Sequence, residues 1–203
     1  MVNPLYSDNR MKIGVMAFNC SHGSTVTTAD GAWPMTWDDN VALAQMADRA
    51  GFEALLPVGR WKGYGGETNF NNRTFESLTW AAGIAAVTDY STIFSTVHAP
   101  LMHPVAVAKM SATVDHISNG RFALNVVAGW FKNEFEMFDA ELKEHGARYE
   151  YAAEWIDVIK RLWVEEEAFD YDGAYFQGKA LWSQPKPIQS PRPPIMNAGS
   201  SSA

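Results

Sequence analysis

In "HISNGRFALNVVAGW", residues 116–130, a helix ends, a strand runs and a loop begins. The fold is decided by whether the neighbouring sequence repeats that order. Asn119-Gly120 reads as the helix stop, because glycine enters the left-handed region without a Cβ penalty. Phe122 to Val127 then form the kind of apolar run that a strand covered on both faces needs. One residue interrupts it. An amide at Asn125 is either a satisfied polar group of the core or the wall of a pocket, and the strand alone does not choose between them.

The same order repeats on both sides. Upstream of the stop, "PVAVAKMSATVDHIS" (104–118) reads as a helix with its proline in the first turn, where a missing N–H costs nothing. Before it stand a strand "STIFSTV" (91–97), a helix "FESLTWAAGIAAVT" (75–88) and a strand "EALLPV" (53–58). Earlier still, "WDDNVALAQMADRAGF" (37–52) spaces Leu43, Met46, Ala47 and Ala50 along one helical face, with Gly51 as its stop. "KIGVMAF" (12–18) is the first strand. Downstream come a helix "YEYAAEWIDVIKRLW" (149–163), an Asp-Gly hairpin "FDYDGAYFQG" (169–178) and a last strand "PIMNAG" (194–199). Apolar strands alternating with helices predict a parallel sheet, either a doubly wound open sheet or a (β/α) barrel. No G-x-G-x-x-G turn follows the first strand, which removes the main argument for a dinucleotide-binding domain. A complete barrel has eight strands and typically about 250 residues. Five strand–helix units are visible here, so a barrel reading makes residues 1–203 the N-terminal part of one barrel domain, a fragment or part of an assembly.

Composition narrows the function classes. The 203 residues are 47% hydrophobic and 19% charged, a globular balance, and the net charge of −7 argues against a nucleic-acid footprint. No run approaches the roughly 18 consecutive apolar residues of a membrane span, and the N-terminus lacks the pattern of a secretory signal. With Cys20 as the single cysteine, no internal disulfide forms, and a cytoplasmic setting is expected. His98 and His103 in "HAPLMH" lack both H-E-x-x-H spacing and cysteine partners, so no metal site is expected. Cys20 has no nucleophile motif around it.

Three weaker signals lie at strand ends. "NAGSSSA" (197–203) offers backbone amides and hydroxyls to an anion, or is an ordinary serine helix cap. Arg148-Tyr149, opening the helix, suits a phosphate, or pairs with Glu144 or Glu150. Trp61, Tyr64, Trp130 and Phe131 sit in loops where a barrel displays its site, or are plain packing.

In combination these pieces resemble the bacterial-luciferase-like family of flavin-dependent monooxygenases. The ordered blocks are "RWKGYGGETNF", "AAVT", "MSATVDHISNGRFALNVVAGWFKNEFE", "EHGARYEYAAEWIDVIKRLW" and "NAGSSSA", and they span nearly the whole chain. Within the family the chain is most similar to the dimethyl sulfone, alkanesulfonate and pyrimidine monooxygenase branch. The resemblance implies a (β/α)8 TIM barrel binding reduced FMN at the C-terminal ends of its strands. It also implies O2, a small organosulfur or heterocyclic substrate, a separate NAD(P)H-dependent flavin reductase, and a homo-oligomer at full length. By the same resemblance, Asn125 lines the flavin and oxygen pocket and Thr96 lies near the oxygen-reactive edge of the ring. Glu134 matches a flavin-contacting carboxylate, Arg148 and Tyr149 the pair near the ribityl phosphate, and Ser201 a phosphate-binding serine. Gly59 and Arg60 match a further loop contact, at which the pyrimidine branch carries lysine rather than arginine. Two other readings are a deazaflavin (F420)-dependent hydride-transfer oxidoreductase and a non-catalytic flavin-binding protein. The chemistry fits the residues: reduced flavin and O2 need a dry cavity, or the oxygen species is lost as hydrogen peroxide. An amide and a hydroxyl bond oxygen without titrating near neutral pH.

Overall fold

A computed structural model describes residues 3–197. The chain runs β1 (Gly14–Met16), α1 (Trp37–Arg49), β2 (Ala54–Leu56), α2 (Ser77–Ala85), β3 (Thr92–His98), α3 (Pro104–Ile117) and β4 (Phe122–Val127). It continues through α4 (Lys132–Met137), α5 (His145–Val164), a hairpin β5 (Phe169–Asp172) and β6 (Gln177–Leu181), and β7 (Ile195–Asn197). Five strands pair in parallel in the order β1-β2-β3-β4-β7. That order never reverses. With right-handed crossovers, an unreversed order puts every covering helix on one face, which is the winding of a barrel wall and not of a doubly wound sheet.

Local chemistry accounts for the boundaries. The Thr36 hydroxyl caps α1 by accepting the Asp39 N–H at 3.1 Å. Glu76 caps α2 by taking the N–H groups of Leu78 and Thr79 at 2.9 and 2.8 Å. Pro104 opens α3, and Asn119 and Gly120 stop it in the left-handed region at φ 53° and 81°. The sequence-predicted face of α1 is corrected. Its buried residues are Asn40, Ala44 and Ala47, while Met46 is 62% exposed. Asn40 turns inward because its side-chain oxygen accepts the indole N–H of buried Trp80 at 2.8 Å, a reason that a hydrophobic pattern does not display.

β3 and β4 share six register pairs, from Ile93↔Phe122 to His98↔Val127. The Ser95 hydroxyl lies 3.0 Å from that of Ser77 in α2, so Ser95 faces the helices. Strand alternation then sends Ile93, Val97, Phe122, Leu124 and Val126 the same way, into a core with Trp80, Trp155 and Ile159. Phe94, Thr96, His98, Ala123 and Asn125 point to the opposite face. At the N-terminal ends of the strands, buried Arg121 donates to the carbonyls of Ala85, Thr88, Ser91 and Ser118 and stitches three connections together. The hairpin hangs on α5, where the Glu154 carboxylate accepts the N–H groups of Ala174, Tyr175 and Phe176 at 3.1, 3.0 and 2.7 Å. Among the described residues no helix is long and apolar enough to cross a membrane.

Candidate active site

Functional side chains converge at the C-terminal ends of the strands. Thr96 and Asn125 are register partners, and the Asn125 amide N–H donates to the Thr96 hydroxyl at 3.1 Å. That hydroxyl in turn donates its only proton to the Pro57 carbonyl at 2.6 Å. The chain of bonds fixes the amide: nitrogen faces Thr96, and the carbonyl oxygen faces away, buried and without a partner. Thr96 is therefore an acceptor and a spacer here. The sequence-based expectation that its hydroxyl offers a proton to oxygen is corrected, because that proton is committed to backbone.

The loop after β2 lies close against β3 for a steric reason. A Cβ on Gly59 would stand 2.7 Å from the Thr96 carbonyl oxygen and 3.2 Å from the His98 ring. Arg60 follows, its side chain only 8% exposed, with its guanidinium Nη1 3.3 Å from Glu134 Oε2. The guanidinium also sits over the rings of Tyr64, Trp130 and Phe131 at 4.6, 5.5 and 5.4 Å from their centroids. Glu134, 1% exposed, comes from α4, a helix absent from the sequence-based elements. Its Oε1 accepts the Trp61 N–H at 2.6 Å and the Lys62 N–H at 3.4 Å. Glu134 thus clips the β2 loop to the β4 loop.

His98, considered in the sequence only as a metal ligand, completes this cluster with Nε2 3.7 Å from Glu134 Oε2. Burial, reinforced by the Arg60 charge, pushes its pKa down to about 4, so the ring is neutral at neutral pH and makes no ion pair there. Nothing local in "STVHAP" announces this role; the partners arrive from two other loops.

On the far side of β4, Arg148 and Tyr149 occupy the first turns of α5, which begins at His145, four residues ahead of the predicted start. Arg148 Nη1 donates to the Gly129 carbonyl, in place of the Glu144 or Glu150 pairing that sequence offered. Both residues line a cavity of about 340 Å³ with Gly129, Trp130, His145 and Asn197. An arginine, a phenol and the start of a 20-residue helix form a donor set suited to an anion. Ser201 lies outside the described residues. Of the predicted site residues, Gly59, Arg60, Thr96, Asn125 and Glu134 gather at the ends of β2, β3 and β4, while Arg148 and Tyr149 sit beside the end of β4.

Six buried side-chain atoms around these strand ends have no hydrogen-bond partner: Arg60 Nε and Nη1, His98 Nδ1, Asn125 Oδ1, Glu134 Oε2 and Arg148 Nε. Interiors rarely leave such groups unpaired, since each costs on the order of 1–3 kcal/mol. Their concentration at one end of one sheet marks the face that meets a ligand.

Comparison with known proteins agrees with this geometry. The sequence model of the family described as luciferase-like monooxygenase matches residues 11–203. The chain is 36% identical over 179 residues to the pyrimidine monooxygenase RutA of Serratia proteamaculans (strain 568), covering 87% of this chain and 49% of that protein. Among solved structures it is similar to the monooxygenase RslO1 from Streptomyces bottropensis, with 25% identity, a TM-score of 0.75, and coverage of 92% of this chain and 53% of that one. It shares its fold with the EDTA monooxygenase EmoA from Chelativorans sp. BNC1, at 19% identity and a TM-score of 0.82, over 95% of this chain and 52% of that one. The chain spans about half the length of the curated relatives it matches.

Proposed function

The chain belongs to the luciferase-like monooxygenase family, and from that premise we propose that it carries the flavin-binding wall of an FMN-dependent monooxygenase. The observation that carries the reading is the set of unpaired buried polar atoms at the strand ends. They fit FMN in kind: Arg148 and Tyr149 suit its phosphate, and the Arg60 donors and Asn125 oxygen suit the carbonyls and N–H of its ring. Bound reduced FMN would supply the electrons that activate O2.

The chain's own residues have three tasks. Asn125, aimed by Thr96, presents a carbonyl oxygen and a second amide hydrogen to the reacting edge. Arg60 and Glu134 hold opposite charges side by side at a depth where water is scarce, which keeps the local field balanced. Trp130, 58% exposed, and Tyr64 stand over the site and cover it against water. The resemblance supports a separate NAD(P)H-dependent reductase as the source of reduced flavin and a homo-oligomeric whole protein. The relatives' names support a heterocyclic substrate over an organosulfur one. Titration with FMN and, in parallel, with F420, followed by flavin fluorescence and absorbance, tests the reading. FMN is expected to bind, and Arg148→Ala to weaken it about tenfold. Binding of F420 in preference to FMN would instead support the hydride-transfer alternative.

A further inference from the structure

A second pocket opens beside the flavin face, between the ends of β1 and β2. It has a volume of about 230 Å³ and is bounded by Met16, Val58, Arg60, Tyr64, Phe70 and Asn71. Its walls are apolar and aromatic, with the Tyr64 and Phe70 rings stacked at 5.6 Å and 18°. Two buried polar side chains interrupt those walls, and both have atoms without partners. Arg60 holds Nε and Nη1, and Asn71, 4% exposed, holds its Oδ1.

The orientation of the Asn71 amide follows from Cys20. The thiol donates to the Ala17 carbonyl at 3.0 Å, so its sulfur can only accept, and it accepts from Asn71 Nδ2 at 3.0 Å. Burial pushes the Cys20 pKa up to about 12, which keeps that proton in place. The amide nitrogen is thereby spent on sulfur, and Asn71 is left as an acceptor. The backbone supports the arrangement: Asn71 sits at φ 57°, a left-handed conformation that asparagine tolerates well.

We propose that this pocket is the substrate site, and that it takes a small neutral cyclic amide with its carbonyl toward Arg60 and its neighbouring N–H toward Asn71. A pocket below the roughly 300–1,000 Å³ of ordinary ligand sites admits only a small ring. Neutrality follows from Glu134, whose carboxylate 3.3 Å from Arg60 offsets the cation and leaves little net field for a sulfonate or carboxylate. That the ligand is a substrate rests on the monooxygenase reading; that it binds here does not.

The test is calorimetric titration with uracil, with 1,3-dimethyluracil, which keeps the carbonyls and loses both N–H groups, and with methanesulfonate. Uracil is expected to bind at least about tenfold more tightly than either. Asn71→Gly, which keeps the left-handed backbone, is expected to weaken uracil about tenfold and leave 1,3-dimethyluracil unchanged, and Asn71→Asp to recover uracil binding by restoring an acceptor. FMN affinity is read in the same samples by flavin fluorescence. Failure of FMN to bind, with the uracil pattern intact, would sink the flavin reading and uphold the pocket. The proposal is overturned if uracil does not bind, binds Asn71→Gly as well as the parent chain, or is outcompeted by methanesulfonate.

Discussion

His98 is a histidine whose value lies in staying neutral. Its pKa in the fold is about 4 against an ordinary 6.5, so the folded state binds fewer protons than the unfolded state throughout that window. Stability contributed by this group is complete above about pH 6.5 and declines as pH falls toward 4, by on the order of 3 kcal/mol. The groups facing the ring are Arg60 and Glu134. His98→Asn should flatten the loss of stability between pH 6.5 and 4, measured by urea unfolding across pH; an unchanged slope would show that the titrating group is another. Asn125 makes a second prediction. Replacing it with alanine removes one bond to Thr96 and the outward oxygen, at about 1–3 kcal/mol. In an enzyme carrying the rest of the barrel, Asn125→Ala should keep flavin oxidation but raise the share of hydrogen peroxide per flavin consumed. The two residues differ in legibility for one reason. Asn125 contradicts its own strand and so is visible in sequence, whereas His98 gains its meaning from a guanidinium and a carboxylate that folding delivers.

Elements with a strong period were legible. The sheet strands and four long helices follow apolar runs, proline at a helix start, and the Asn119-Gly120 stop. α4 was not, because six residues, Lys132–Met137, are too few to display a helical period and their purpose is to bury one glutamate. The hairpin was readable from its Asp-Gly pair, but its attachment was not, since Glu154 sits in another element and meets backbone groups that no side-chain pattern encodes. Gly173 fits this attachment: a Cβ there would stand 2.0 Å from Glu154 Oε1. Glu154→Ala should raise amide hydrogen exchange across residues 169–181 at a cost of about 1–3 kcal/mol, while β3 and β4 keep their protection. Uniform loss of protection in hairpin and sheet would show that the two unfold as one unit.

At the scale of the molecule, the unreversed strand order decides between the two architectures that sequence left open. Among the described residues, β1 pairs only with β2, and its Met16 is 56% exposed beside Ile13 at 50%. A short edge strand carrying apolar side chains templates association with another chain. The 203-residue chain should therefore associate increasingly with concentration, and Met16→Lys should suppress this in light scattering; identical scattering from both would place the contact elsewhere. One further consequence belongs to time rather than to space. Since a single carboxylate on the β4 side grips two amides on the β2 side, neither loop can swing out alone without stranding a charge in the interior. The lid over the site has one relaxation process, and its segments around residues 60–70 and 129–137 open and close at a common rate.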